Sequence, residues 1–307
     1  MNLAVRASHM DVSNAVDVTD PSAVGQIVRD LLGSRYPDID LEIIDTLVID
    51  FARLYRGQFP GFRACDLNYH DLQHVLDVTL AMARLMEGYE MSHAPDQQLG
   101  AEMALIGIAC ALFHDSGYIR RTHDTRHRNG AAYTRTHVSR GARFLAEYLP
   151  TVGLGHIVPV CQRLVHFTGY ELNPQEIESD SREERLLGTL LGTADLIAQM
   201  ADAEYLRKCH DYLYAEFEAG GMAGGNGNYS STGIIYQSPQ HLLESTPNFI
   251  REAITVRLDG YFDGVYRYAG TFFGGPNLYM NAIADNSTKL QERLALRAQD
   301  LAVADQH

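Results

Sequence analysis

The chain has 307 residues, 46% hydrophobic and 21% charged, enough apolar material to bury a sizeable core. Acidic residues outnumber Lys and Arg by 39 to 25, giving a formal charge of −14, which disfavours nucleic-acid polymers and anionic lipid surfaces as partners. The uncharged run Met103–Phe113 falls short of the roughly 20 residues of a membrane span. No apolar signal core opens the chain and Cys65, Cys110, Cys161 and Cys209 form no C-x-x-C pair, so a cytoplasmic setting with reduced thiols is expected.

Residues 1–20 are expected to be disordered or tag-like, because Ala7-Ser8-His9-Met10 reads as a cloning scar. Helical periodicity then dominates and strand signals are nearly absent. Asp20-Pro21 is a cap-plus-Pro start, followed by Val24, Ile27, Val28, Leu31 and Leu32 on one face. A second helix carries Ile43, Ile44, Leu47, Val48, Phe51, Leu54 and Tyr55 and stops before Gly57–Gly61. A third, about 71–91, turns Val75, Val78, Met82, Leu85 and Met86 inward. The fourth, about 97–113, is apolar on all faces from Met103 onward, as expected of a helix in the middle of a bundle, and ends at His114-Asp115.

Further helices are expected at about 130–149, 157–167 and 182–218, the last with Gly188 and Gly192 spaced for close backbone approach. Residues 219–237 form a Gly-rich stretch, expected to be a mobile loop. Ser238-Pro239 and Thr246-Pro247 are two more cap-plus-Pro starts, for helices running to about Tyr268, and an amphipathic helix at about 277–303 closes the chain. The expected class is all-α: a helical catalytic region over 21–218, the Gly-rich loop over 219–237, and C-terminal helices over 238–307 packing on the same domain.

The chain holds 13 His, and a lone His on a helix is usually an ordinary core or surface residue. The informative pattern is the set His74, His114-Asp115 and Asp195. An imidazole and a carboxylate ending a buried apolar run are costly unless their charge is compensated, and a divalent cation compensates it. This order resembles the HD-domain metal-dependent phosphohydrolases. His137, opening His-Val-Ser-Arg-Gly-Ala, and His166 stand where the binuclear branch, including the HD-GYP cyclic-dinucleotide phosphodiesterases, places extra ligands. Tyr69-His70-Asp71-Leu72-Gln73-His74 is similar to the Y-H-N-x-x-H box of class I cyclic nucleotide phosphodiesterases, with Asp71 in place of Asn. Tyr118 stands where HD-GYP enzymes carry Lys, and Gly169-Tyr170 is followed by Glu171, not Pro.

The resemblance implies an HD-domain helical bundle with N- and C-terminal helical extensions. It also implies two divalent transition metal ions (Fe, Mn, Ni or Zn) on His74, His114, Asp115, His137, His166 and Asp195, with Asp115 bridging. His70 would be the general acid; i, i+4 spacing places it with His74 on one helical face if the helix begins early enough. The activity implied is hydrolysis of a small nucleotide substrate, a 3′,5′-cyclic mononucleotide or a cyclic dinucleotide, by metal-activated hydroxide. A di-iron oxygenase resembling myo-inositol oxygenase and a non-catalytic nucleotide sensor remain alternatives, and the oligomeric state is open.

Seven Arg and a single acid, Asp124, lie between Ser116 and Ala146. Arg suits bidentate phosphate contacts, so Arg120, Arg121, Arg126 and Arg128 are the candidate substrate-binding set; the competing reading is a solvated face paired with acids elsewhere. Tyr170, Tyr229, Tyr236 and Phe273 are candidates to stack on a base, though ordinary packing is the better account of each. No P-loop, G-x-S-x-G elbow or Cys nucleophile setting is present, and His123, His127, His156, His210 and His241 have no motif around them.

Overall fold

The computed structural model describes residues 6–224 and 236–304, with side chains to 300. It is all-α; among the described residues the only β pairing is three isolated bridges. The helices are α1 (Pro21–Arg35), α2 (Leu41–Tyr55), α3 (Leu72–Ser92), α4 (Ala101–Phe113), α5 (His137–Tyr148), α6 (Val158–Leu164), α7 (Arg182–Ala201), α8 (Tyr205–Lys208), α9 (Tyr214–Ala219), α10 (Pro239–Glu252), α11 (Tyr268–Phe272) and α12 (Leu278–Ala304). Their starts follow the capping signals: Asp20, Asp40, Asp71, Ser181 and Ser238 each accept a backbone N–H of the first turn, as short polar side chains do at an N-cap.

The sequence pattern puts α4 at the centre, and α4 is buried over Ile106–Phe113. The structure gives α3 that position as well: it packs against α1, α4, α7 and α11 and is buried continuously from His74 to Met86. Charged residues disguised it as an amphipathic helix. Two of them find partners inside: Arg84 donates to Asp11 at 2.6 Å and to the Tyr279 hydroxyl at 3.0 Å, and Glu90 accepts from the Tyr36 hydroxyl at 2.7 Å and from Leu99 N at 2.9 Å.

That pairing corrects the expectation for residues 1–20. Residues 1–5 lie outside the described set, but residues 6–20 fold against the bundle. The Asp11 side chain is fully buried and gathers N–H donors from Ser13, Ala15 and Val16 besides Arg84. Burial opposes its charge, but Arg84 and these donors hold its carboxyl down at about 2.

Two further expectations change. The helix expected over 182–218 breaks at Asp202, whose carboxylate accepts from Glu204 N at 2.7 Å and from Lys208 Nζ at 2.6 Å. It continues as α8, a π-helical turn Cys209–Leu213, and α9; Asn286 of α12 closes the α7 end by donating to Met200 O and Asp202 O at 2.9 and 2.8 Å. Thr246-Pro247 does not open a helix: α10 runs through it, and the Thr246 hydroxyl donates back to Leu242 O. The Gly spacing holds its role, since a Cβ on Gly192 would meet Phe167 O at 2.6 Å. The centre of the Gly-rich stretch, residues 225–235 with Tyr229, lies outside the described residues.

Candidate metal centre and its cavity

Helix α4 delivers His114 and Asp115 at its C-terminal end, where the chain turns through Ser116–Tyr118. The turn can lie against the start of α5 only because Gly117 and Gly141 lack side chains: a Cβ on Gly117 would meet His137 O at 1.7 Å, and one on Gly141 would meet His114 O at 2.8 Å. His74 comes from the first turn of α3 and Asp195 from α7. His74 Nε2 lies 3.6 Å from Asp115 Oδ2 and 3.4 Å from Asp195 Oδ1; His114 Nε2 lies 3.4 and 3.9 Å from the same two oxygens.

His74, His114 and Asp115 are buried and close enough to hold one metal ion. Two observations fit such an ion. First, His114 Nδ1 must donate to Ala111 O at 2.8 Å, since a carbonyl only accepts, so Nε2 is the ring atom that faces the carboxylates and would bind an ion once its proton is released. Second, His114 Nε2 and Asp115 Oδ2 are both buried without a hydrogen-bond partner, a costly state for polar atoms unless something sits between them. Burial works against charge at both, yet each stabilises the other: His114 rises to about 9 beside Asp115, and Asp115 falls far below the carboxylate range beside His114, His70 and His137.

His137 approaches from the other side. Its Nδ1 donates to Thr134 O at 2.7 Å, and its Nε2 lies 3.6 Å from Asp115 Oδ1, the oxygen not facing His74 and His114. Burial pushes its pKa down, which keeps a neutral ring available as a ligand. His166 is not brought to this group. It sits half-buried on the turn Val165–Phe167, makes no ion pair with Asp115 or Asp195 among the described residues, and its Nδ1 is buried without a partner.

Helix α3 begins at Leu72 with Asp71 as its cap, so His70 lies before the helix and the i, i+4 argument does not place it. Glu216 of α9 does: its Oε2 is 2.6 Å from His70 Nδ1, while its Oε1 accepts from Asn68 N at 3.0 Å and Tyr69 N at 2.7 Å. Burial disfavours charge on His70, but Glu216 together with Asp115 and Asp195 outweighs it and raises its pKa. The Tyr118 ring stacks on both His70 and His137, with centroids 4.6 and 4.4 Å away, and the two imidazoles lie 6.4 Å from each other.

These groups open into a cavity of about 430 Å³ lined by His70, His74, Asp115, His137 and Asp195 among others, within the size range of small-molecule sites. None of the four candidate phosphate-binding Arg lines it. Arg120 pairs with Asp66 at 2.7 Å and donates to His127 O; Arg121 pairs with Glu147 and lies over Phe62. Arg126 and Arg128 also lie off the cavity. Arg135, which donates to Gly221 O, is the only Lys or Arg among the described lining residues. Of the candidate stacking residues, Tyr170 and Tyr236 line the cavity; Phe273 instead packs near Tyr279.

Sequence reasoning missed Glu216 and Glu171. Glu171 accepts from Val138 N and Ser139 N, capping the start of α5 where His137 sits. Its signal was present, as the acid after Gly169-Tyr170. Glu216 left none, being hidden in a stretch that read as continuous helix.

The Npun_R2479-like family model matches residues 122–259, less than half the chain. That stretch includes His137, His166, Asp195 and Glu216 but not His70, His74 or the His114-Asp115 doublet. A search of curated proteins gives no match.

Proposed function

We propose that the chain is a metal-dependent phosphodiesterase of the HD type; cyclic nucleotides are what its sequence resemblance implies, and the organic group of the ester is decided by the rest of the cavity. The observation that supports this reading is that two different side-chain arrangements share one cavity. A compact buried N/O group suited to a divalent ion stands beside an imidazole whose charge a buried carboxylate stabilises. An oxygenase needs the first but has no evident use for the second.

His74, His114, Asp115 and Asp195 would hold the ion, and a mixed imidazole–carboxylate set suits Fe, Mn, Ni or Zn. Such an ion, when bound, supplies Lewis-acid polarisation of a phosphoryl oxygen and a water of lowered pKa. His137 faces the second oxygen of Asp115 and is the residue available to a second ion; His166 makes no contact that would complete that site. His70 commits Nδ1 to Glu216, so the proton it can give is on Nε2. As the water oxygen bonds to phosphorus and the ester P–O bond breaks, this proton goes to the departing oxygen. Arg135 contributes positive charge to the same wall.

The test is metal content of the purified protein together with hydrolysis of a panel of phosphodiesters, including 3′,5′-cyclic mononucleotides and cyclic dinucleotides. The reading expects bound transition metal and metal-dependent release of a phosphomonoester. Metal-loaded protein that cleaves no phosphoester, or that consumes oxygen with Fe(II) and an organic substrate, would overturn it.

A further inference from the structure

The cavity has two chemically different parts. Near the metal group its walls are polar. Away from those ligands it is walled by the π-helical turn, α9, α10 and their flanking residues, through Leu213, Phe217, Met222, Tyr236, Leu242 and Phe249. Leu213, Phe217, Tyr236 and Phe249 pack against the main core yet stay only partly buried, so they keep apolar surface for the cavity. Phe217 and Tyr236 lie stacked, 5.8 Å apart and 14° from parallel.

This wall is poor in groups that read a nucleobase. Leu, Phe and Met side chains neither donate to nor accept from a base, the Thr246 hydroxyl is already committed to Leu242 O, and Tyr236 adds a single hydroxyl. Ring nitrogens and exocyclic groups placed there would lose water without replacement, at a cost in affinity. A hydrocarbon group loses nothing there and gains in proportion to the area it buries. The charge balance agrees, since Arg135 is the only Lys or Arg among the described lining residues, which fits one phosphate and not several.

We infer that the substrate is a phosphoester carrying a single phosphate and an aliphatic substituent, with the phosphate at the His74–Asp115 end and the chain along the Phe217–Phe249 wall. The phosphate end of this assignment rests on the phosphodiesterase reading; the hydrocarbon end rests on the wall alone.

The test is calorimetric titration of n-alkyl phosphates, ethyl through octyl, into metal-loaded protein, with adenosine 5′-monophosphate as the nucleotide probe. Affinity is expected to rise about two- to fourfold per methylene, the range expected for partial to full burial, at one ligand per chain. Phe217→Ser and Phe249→Ser should each flatten that rise; two variants on different helices guard against one failing to fold. An affinity independent of chain length, or adenosine monophosphate binding more tightly than octyl phosphate, overturns the inference. A steep rise in a protein that hydrolyses no phosphoester supports the hydrocarbon site and overturns only the phosphodiesterase reading. Phosphodiester hydrolysis with no chain-length dependence does the reverse.

Discussion

His70 and Glu216 are distant in sequence, yet His70 Nδ1 lies 2.6 Å from Glu216 Oε2 inside the protein. The carboxylate fixes the ring, takes up Nδ1–H and stabilises the charged form against burial. Because the folded pKa of His70 is raised, the stability this pair contributes is fully present below the unfolded His value of about 6.5 and is lost as pH rises through the folded value. Glu216→Gln keeps an oxygen for Asn68 N and Tyr69 N but removes the charge. It should cost about 1.5–3 kcal/mol on the acid side, the worth of a hydrogen bond to a charged group, and distinctly less at high pH. Urea unfolding at several pH values measures it; a cost that grows with pH would contradict the assignment.

The metal group gives a prediction by residue. His74→Ala, His114→Ala or Asp195→Ala should lower bound metal sharply, as should Asp115→Ala, which removes both carboxylate oxygens at once. His166→Ala should leave the metal content unchanged, since His166 lies apart from the group. Elemental analysis of purified variants decides it, and loss of metal in the His166 variant would mean that the ring swings onto the site.

Asp11 and Arg84 form a buried ion pair, and removing one partner of such a pair leaves the other charge uncompensated, at a cost of about 3–5 kcal/mol. Asp11→Asn should therefore destabilise the protein by that order near neutral pH. With the folded pKa at about 2, below the unfolded value, the contribution is present above the unfolded pKa and lost as pH falls through the folded one. The difference between the two proteins should shrink in acid. Equal stability of both at neutral pH would return residues 6–20 to the role of a dispensable tail.

Asp77 behaves in the opposite sense. Burial is the main cause that pushes its carboxyl up to about 7, with Asp202 adding to it, and its Oδ1 has no hydrogen-bond partner. A raised acid favours folding below the unfolded carboxylate pKa and loses that advantage as pH rises through the folded value. Asp77→Asn should stabilise the protein at pH above about 8, by an amount on the order of a few kcal/mol, and make little difference below about pH 4. A variant that is destabilised most at alkaline pH would contradict the sign.

The order of helices could be read along the chain because local rules set it: short polar caps, Pro in the first turn and a repeating apolar face. The His114-Asp115 doublet was legible because an imidazole and a carboxylate ending a buried apolar run need compensation wherever they fold, and His74 and Asp195 were singled out by the resemblance to the HD order. What the sequence concealed depended on contacts between distant segments. Arg84 and Glu90 made α3 look solvated until Asp11, Tyr36 and Tyr279 were seen to meet them. The Arg cluster after the doublet suggested a phosphate rim, but Asp66 and Glu147 claim its first two members on the outside of the fold. Glu216 reaches His70 from a helix that breaks at Asp202 and continues as α8, a π-helical turn and α9, a break its apolar period does not announce.

The central claim is that metal binding and proton donation are separate jobs on one cavity, and His70→Asn tests it most directly. The variant should be measured for bound metal and for turnover on two phosphodiesters, one with a poor alkoxide leaving group and one with p-nitrophenolate. The account predicts unchanged metal, a loss of roughly 10²- to 10⁴-fold on the poor leaving group, as removal of a general acid gives, and a much smaller loss on the activated ester. Loss of metal, or an equal fall on both esters, would contradict it and make His70 a ligand or an orienting residue.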